Sequence, residues 1–394
     1  MQRVLSNARR FTASRSLKPP PSLLPSSSSS TDSPIATAPH SCPHQCQHLH
    51  TFSSTIHRPG TALNSRRILT ASFSTEAAAA ASPLETAPSE AVKEFYDKIM
   101  DSVKVKRTMA PNAWLWSLIE NCQNKEDIKL LFDTLHNLRI FRLSNLRIHE
   151  NFNCNLCREV TKACARVGAV EFGKKALWKH NVYGLDPSVA SANHLLTYAK
   201  THNDLKLMVE VMQLLKRNNV PLQPSTADLV FSSCCNSDNW GLISKYARRF
   251  LEQGVKLHKT AYDLWMDFAA KRGDTESLWK IEKLRSESVK QHSVLSGFSC
   301  AKGLILESKP EDAATLIQLL YQTLSDKQKS NIVVQLQKLV NEWPQDVIRY
   351  QPEERRQATA AALKSGIPAM VTSLLNMGLE ANVNLDELSS KELC

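Results

Sequence analysis

The stretch that decides the fold spans residues 155–294, and its first 70 residues read NLCREVTKACARVGAVEFGKKALWKHNVYGLDPSV (155–189) and ASANHLLTYAKTHNDLKLMVEVMQLLKRNNVPLQP (190–224). Two further rows of 35 residues begin at Ser225 and Thr260. When the four rows are aligned, the fourteenth column contains only residues that form turns at low energetic cost. These residues are Gly168, Asn203, Asp238 and Gly273.

Two other columns carry the expected core. Each row contains two runs of apolar residues at helical spacing, separated by the turn column. Neither helix of a row can bury its apolar face alone, so neighbouring rows must stack. The sequence therefore predicts an all-α fold, specifically an α-solenoid of helical hairpins of about 35 residues. The sixth column is apolar (Val160, Leu195, Val230, Trp265), and the tenth is small (Cys164, Ala199, Cys234, Ala269).

The same pattern extends less regularly to both sides of the four rows. Turns are predicted near Asn124, Gly168, Asn203, Asp238, Gly273 and Ser308. Ser308 and Glu311 are predicted to form a capping box, and Pro344 to stop a helix that spans 332–342. A last hairpin is predicted about Gly366. The resulting parts are a leader (1–75), a linker and capping helix (76–110), an irregular first repeat (111–154), repeats (155–329), degenerate repeats (330–380) and a tail (381–394).

The leader carries most of the positive charge. Residues 1–75 contain eight Lys or Arg and one acid, so +7 of the formal net charge of +11 lies there and +4 in the remainder. This Ser-, Arg- and Ala-rich, acid-poor composition predicts a transit peptide, for the mitochondrion in preference to the chloroplast. His and Cys alternate with metal-ligand spacing over residues 40–50, which we interpret as low-complexity presequence and not as a metal site. No apolar run is long enough to predict a membrane span.

The spacing distinguishes between repeat families. A period of 34 residues, as in tetratricopeptide repeats, moves the turn column to His202 and Ala270, whereas a period of 35 preserves it. Gly184-Leu185-Asp186-Pro187 is similar to the Gly-aliphatic-x-Pro ending of the pentatricopeptide repeat unit. The chain thus resembles the pentatricopeptide repeat family. The resemblance implies a non-catalytic, RNA-binding protein of plant mitochondrial gene expression, such as an accessory subunit of the mitochondrial ribosome.

In that family two residues of each unit read one base. The resemblance places the first of the two at Arg158, Asn193, Asp228 and Asp263, and the second at Ser188, Gln223, His258 and Ser293. None of the four combinations is a usual pair of the family. The aliphatic residues that flank each base are also missing, because Asn155, Ala190, Ser225 and Thr260 occupy their places. We therefore expect RNA contacts to go to phosphate, without base-by-base recognition.

Basic residues near helix ends are the candidate RNA contacts. An alternative keeps them as a solvated face or an amphipathic connector, on a solenoid that binds a protein partner without RNA. RNA or a ribonucleoprotein is the preferred partner because the transit-like leader and the family resemblance point to organellar RNA. The candidates are Lys174, Lys175, Lys179, Lys216, Arg217, Arg248, Arg249, Arg139 and Arg142.

No motif predicts catalysis, a cofactor or a small-molecule substrate. The segment from Gly168 to Lys174 nearly matches a P-loop, but Lys175 stands where the loop needs Ser or Thr for Mg²⁺. Cys154 and Cys157 have the C-x-x-C spacing without a partner pair, which favours two packed cysteines over a redox or zinc site. The sequence therefore predicts a protein that is not an enzyme.

Overall fold

The computed structural model describes residues 87–145, 149, 151–323 and 325–379, which belong to the compact unit Ala80–Cys394. These residues form sixteen α-helices and one π-helical turn, and no β-strand occurs among them. The all-α prediction is confirmed for this part of the chain. The predicted leader, its His/Cys run and the tail lie outside the described residues.

Four helices and one π-turn occupy residues 90–167, which include the start of the first of the four aligned rows. Asn124 caps α3 in a capping box, because its side chain accepts from Asp127 N and the Asp127 carboxylate accepts from Asn124 N. The Asp127 side chain is buried and also accepts from Ser89 N at 2.7 Å, which fixes the start of α1 against α3. The elements are α1 (Glu90–Met100), the π-turn (Asp101–Val105), α2 (Asn112–Asn121), α3 (Lys125–Leu143) and α4 (Cys154–Val167).

Twelve further helices follow, and ten helices from α4 to α13 form five hairpins in chain order. They are α5 (Val170–Ala176), α6 (Val189–Thr201), α7 (Leu205–Arg217), α8 (Pro224–Asn236), α9 (Trp240–Glu252), α10 (Lys259–Arg272), α11 (Thr275–Ser288), α12 (Val294–Leu306) and α13 (Pro310–Thr323). The last three are α14 (Asp326–Asn341), α15 (Trp343–Tyr350) and α16 (Glu353–Asn376).

The turn column is left-handed at every position, which confirms the predicted turns. A positive φ is the conformation that Gly, Asn and Asp adopt most readily, so the sequence pattern has a direct backbone cause. The residue after three of these turns caps the next helix, as Asp204 does for Leu207 N and Asp274 for Ser277 N. The φ values are 75° at Gly168, 52° at Asn203, 51° at Asp238, 70° at Gly273 and 60° at Ser308.

The hairpins contact one another through their first helices. Each of α4, α6, α8 and α10 packs on the next helix of this set, ending at α12, and each second helix packs on the first helix of its own hairpin. The predicted apolar and small columns are buried at these contacts, with Leu195 and Ala199 fully inaccessible and Trp265 9% exposed. One hydrophobic core extends through the three hairpins α6/α7, α8/α9 and α10/α11.

Two C-terminal predictions are wrong, and a third is confirmed. Ser308 is left-handed and precedes α13 by two residues, so it forms the turn and not a capping box. The helix before Pro344 ends at Asn341, as predicted, although it begins at Asp326, earlier than expected. Pro344 itself lies in the first turn of α15, where its missing N–H removes no helical hydrogen bond. Residues 353–376 form one helix through Gly366 and Pro368, where a hairpin was expected.

Tertiary packing explains why α16 continues through its proline. A proline inside a helix costs about 3 kcal/mol. Against this, Leu363, Ile367 and Met370 are fully buried where α16 contacts α12 and α13. Full burial of one such side chain contributes about 1.5–3 kcal/mol, so three of them outweigh the proline.

The helix α15 folds back onto α10. The Trp343 indole N–H donates to Ala270 O at 2.9 Å, and Gln351 Nε2 donates to Arg272 O at 3.0 Å. Both acceptors are carbonyl groups of the last turn of α10, where the usual helical donors run out. Ala270 O also accepts from Gly273 N at the C-cap. The C-terminal segment thus contacts a hairpin well upstream of it in the chain.

One described helix, α16, has the length and apolar composition that a membrane span requires. It packs on α12 and α13 through its buried face, as a core helix does. Length and composition alone are weak grounds for a span, so the described helices give no clear sign of a membrane protein.

Candidate functional site

The side chains at the base-reading positions hydrogen-bond to the following hairpin. Three of the four reach across to the start of the next first helix, and we call these contacts the inter-hairpin ladder. Asn193 Oδ1 accepts from Thr226 Oγ1 at 3.0 Å. Asp228 accepts from Thr260 Oγ1 at 2.6 Å and lies 2.7 Å from His258 Nδ1, and Asp263 accepts from Ser293 Oγ at 2.7 Å.

The ladder uses the hydrogen-bonding groups that a nucleobase would need. Burial raises the pKa of Asp263, and the hydrogen bond from Ser293 opposes that shift. Arg158 is the exception, because it is exposed and bonds only to Glu159 of its own helix, at 3.1 Å. The column that the family resemblance assigned to base recognition therefore links neighbouring hairpins in this chain.

Four of the nine predicted basic contacts are held inside the molecule. Lys174 lies 2.7 Å from Glu171 and 2.6 Å from Glu210, and although burial opposes its charged form, the two carboxylates prevail and raise its pKa. Arg249 Nη1 donates to Met212 O at 2.9 Å. Arg139 donates to Asn181 O, and Arg142 donates to Asn151 O at 3.0 Å with its guanidinium over the Phe152 ring.

Burial also lowers the pKa of Arg142 and Arg249, as expected for a cation removed from water. Phe141, which lies between Arg139 and Arg142 in the chain, is half-buried. Arg139 and Arg142 therefore support the amphipathic-connector alternative for this stretch. These two arginines join α3 to the loops that flank α4 and α6.

The remaining candidates are accessible. Lys175 is half-buried, with its ammonium 5.0 Å from the centroid of the Phe172 ring. We call the four exposed ones, which form no ion pair within the described residues, the cationic edge. They are Lys179, Lys216, Arg217 and Arg248.

Side-chain contacts join α5 to α7 and α7 to α9, and the cationic edge lies near the C-terminal ends of these three helices. Asn218 Nδ2, at the end of α7, donates to Leu177 O, at the end of α5, at 2.6 Å. The Arg249 bond to Met212 O joins α9 to α7 in the same way. Basic residues in a last helical turn also complement the helix dipole, so their position alone does not establish a ligand site.

Sequence reasoning missed Trp178, which is 52% exposed beside the cationic edge. A signal was present in the repeat, because Trp178 occupies the twenty-fourth column, whose other members are polar. The indole ring stacks on no other ring and meets no cation within the described residues. The other members of that column, Gln213, Arg248 and Lys283, are all exposed.

The loop that carries Trp178 is fixed by buried polar groups. Asn181, only 4% exposed, donates to Trp178 O and to Leu185 O, both at 2.7 Å. The Asn181 side-chain oxygen accepts from Leu185 N at 3.0 Å, and its backbone carbonyl accepts from Arg139. The backbone is therefore held in place while the indole faces solvent.

One group of residues has the donors of a metal site but not its electrostatics. Donor atoms of Glu282, His292 and Cys300 lie within 4.8 Å of one another. The buried Arg285 guanidinium bonds to both Glu282 oxygens, at 2.7 and 2.8 Å, and to His292 Nε2 at 3.2 Å. A cation that already neutralises the carboxylate and occupies the imidazole disfavours a second cation, so this is a buried ion pair.

A groove at the C-terminal end of α3 is lined by Val103, Lys104, Arg107, Ile140 and Phe141, together with polar residues. Among the described residues, no His, Cys, Asp or Glu lines this groove.

No known protein-family model matches the chain, and a comparison with curated proteins gives no match.

Proposed function

We propose that this chain is a non-catalytic helical-repeat adaptor that binds RNA or a ribonucleoprotein through its cationic edge. The observation that carries the proposal is the edge itself, because three consecutive hairpins contribute exposed cations that no acid neutralises within the described residues. Lys and Arg in such positions contact phosphate groups without reading sequence.

The inter-hairpin ladder also favours contacts to phosphate over contacts to bases. Asn193, Asp228 and Asp263 are engaged with the next hairpin, so a base entering this column would have to break those bonds. Binding through phosphate requires no such rearrangement. We therefore expect an affinity that varies little with RNA sequence.

The architecture that we propose is an α-solenoid. The sequential packing of α4, α6, α8, α10 and α12 supports it, since each hairpin of a solenoid buries its apolar face on the next. The 35-residue period and the resemblance to pentatricopeptide repeats support the same arrangement. A role in mitochondrial gene expression, for example on the mitochondrial ribosome, rests on that resemblance and on the transit-like composition of residues 1–75.

One observation favours the protein-scaffold alternative. Ile140 lines the groove at the end of α3 and is 52% exposed, while Val105 and Leu143, chain neighbours of lining residues, are 74% and 51% exposed. Exposed apolar side chains grouped in this way are typical of protein-binding surfaces. The cationic edge lies on other helices, so the two kinds of binding can be separated by mutation.

The test is an RNA titration of the full chain and of a variant with Lys179, Lys216, Arg217 and Arg248 changed to Glu. The control variant carries the same change at four exposed cations elsewhere, Lys125, Lys206, Arg355 and Lys364. Both variants keep the basic leader, so its contribution cancels. We expect the edge variant alone to lose affinity, for RNAs of different sequence alike.

Two outcomes would contradict the proposal. In one, the full chain does not bind RNA even at low salt. In the other, the edge and control variants lose affinity equally. If wild-type protein then co-purifies with a partner whose capture resists ribonuclease and requires Ile140, the scaffold alternative replaces the RNA adaptor.

A further inference from the structure

We infer that Trp178 is a stacking platform for an unpaired nucleobase whose flanking phosphates contact the cationic edge. This inference rests on the proposed RNA-binding function and narrows its ligand to RNA with an unpaired nucleotide, in a single strand, loop or bulge. The site lies at the end of α5, outside the column of base-reading positions.

The exposure of the indole is the first observation. All seven tryptophans of the chain lie in described segments, and Trp178 is the only one that is exposed. The other six are buried or half-buried, as with Trp343 bonded to α10 and Trp240 packed edge-on against Phe268. An indole left in water on a rigid loop offers a large apolar face at little conformational cost to a planar ligand.

The rigidity of the loop is the second observation. Asn181 holds the backbone of Trp178 and Leu185 with three hydrogen bonds, and Arg139 anchors Asn181 from α3. Phe132 packs at a tilt against Phe172, with ring centroids 5.0 Å apart, and edge-to-face against Tyr183 of the loop, with centroids 4.7 Å apart. This support fixes the backbone position of the indole before any ligand binds, which reduces the entropy lost on binding.

The surrounding charge is the third observation, and it selects a nucleic acid over a protein. Lys179 follows Trp178 in the chain, and the Asn218–Leu177 bond places the end of α7, with Lys216 and Arg217, beside the same loop. A tryptophan that anchors a protein partner usually lies within a larger exposed apolar patch. Here Val182 is the only other exposed large apolar side chain on the described loop. The exposed charged residues of the loop are Lys179, directly after Trp178, and Asp186, eight residues further along the chain.

Stacking and phosphate contact together are how proteins bind unpaired nucleotides without sequence preference, because every base has a π-face. A fully paired duplex cannot offer an unstacked base to the indole. The geometry therefore predicts a preference for single-stranded over duplex RNA that depends on Trp178, while the contribution of the cations is shared by both.

The experiment measures fluorescence anisotropy of labelled RNAs of about 12 nucleotides, an oligouridine, an oligoadenosine and a duplex, titrated with the full chain. The variants are Trp178→Ala, Trp178→Phe and Val334→Ala, the last a control at another exposed apolar side chain, 52% accessible. Thermal unfolding of each variant checks the fold. We expect Trp178→Ala to lose about 5- to 100-fold affinity for both single strands and almost none for the duplex.

The Trp178→Phe variant should keep most of the wild-type affinity for the single strands, because a phenyl ring can still stack on a base. The Val334→Ala variant should bind as wild type does. If Trp178→Ala binds the single strands as tightly as wild type while the edge reversal does not, the stacking inference is overturned and the RNA function stands. If wild type binds none of the RNAs at low salt, both fail. Equal losses for single strands and duplex would also overturn the inference, because stacking acts only on unpaired bases.

Discussion

Ala199 lies in the small-residue column between α4 and α8 and is fully inaccessible to solvent. Ala199→Asp would bury a carboxylate without a partner, which costs several kcal/mol, on the order of one-third or more of a typical domain's stability. We expect a clear drop in the midpoint of thermal unfolding. Thr197→Asp, on the exposed face of the same helix, is the control and should change the midpoint little. Equal midpoints for the two variants would show that Ala199 does not face the core.

The environment of His292 predicts a pH dependence of stability. Burial lowers the pKa of His292 from 6.5 to about 4, with Glu282 acting to raise it and Arg285 and Lys259 acting to lower it further. Between these two values the unfolded chain binds a proton that the folded chain does not. Stability contributed by neutral His292 is therefore complete above about pH 6.5 and is lost as the pH falls towards 4.

The size of this effect is about 2 kcal/mol between pH 7 and pH 5. It can be measured as the difference in urea unfolding free energy of wild type at the two pH values. His292→Gln, which keeps an acceptor for Arg285, should show a smaller difference. Identical differences in the two proteins would mean that His292 protonates in the folded state as readily as in water.

At the scale of the elements, the inter-hairpin ladder makes a prediction with a matched control. Asp228→Ala removes the bonds from Thr260 and His258 that tie α8 to the start of α10, and we expect a loss of about 1 kcal/mol. Arg158→Ala, in the same column but bonded only within its own helix, should cost close to nothing. Urea denaturation gives both values, and a cost at Arg158 equal to that at Asp228 would count against the ladder.

The docking of α15 on α10 can be tested with two glycines of the same backbone conformation. Gly273 and Gly254 have φ values of 70° and 68°, so Ala at either site incurs a similar left-handed strain of about 1 kcal/mol. A Cβ at Gly273 would also lie 2.5 Å from Gln351 Nε2 and 2.7 Å from Val347 Cγ2, whereas at Gly254 it meets nothing within 4 Å. We expect Gly273→Ala to be the more destabilising variant in thermal unfolding. Equal losses would mean that α15 is not packed there.

The parts of this structure that follow from the sequence are those with a local cause. Left-handed Gly168, Asn203 and Asp238 mark their turns whatever surrounds them, and the buried columns follow from the helical period. Helix α16 could not be anticipated in the same way, because Gly366 and Pro368 favour a break locally. Their helix persists only through packing on helices some 50 residues upstream.

In the candidate site, too, the features with a local cause could be predicted from the sequence and those that depend on tertiary contacts could not. The candidate basic residues could be identified from the sequence, but which of them are free could not. Unlike Lys179, Lys174 and Arg249 form contacts across hairpins, to Glu210 and to Met212 O. The exposure of Trp178 could have been inferred from its polar repeat column. The rigidity of its loop could not, because Arg139 and Asn218 that fix it come from other hairpins.

For the whole molecule, charge placement decides how function can be tested. The net charge outside the leader is only +4, so overall attraction to a polyanion is weak, and the proposed RNA binding depends on a local edge. Four exposed cations grouped on three hairpins offer that edge without requiring a strongly basic protein. The leader, with +7, would contribute to RNA binding in any preparation that retains it, and every comparison must therefore hold it constant.

The most direct measurement of the central claim is the salt dependence of single-stranded RNA binding, from about 50 to about 200 mM salt, for two matched variants of the full chain. In one, Lys179, Lys216, Arg217 and Arg248 become Gln; in the other, Lys125, Lys206, Arg355 and Lys364 do. Each phosphate contact contributes about 0.7 to the slope of log affinity against log salt. We predict that the edge variant's slope is smaller than that of wild type by roughly 2 to 3, and that the control variant's slope is unchanged. Equal slopes in the edge variant and wild type would contradict the account.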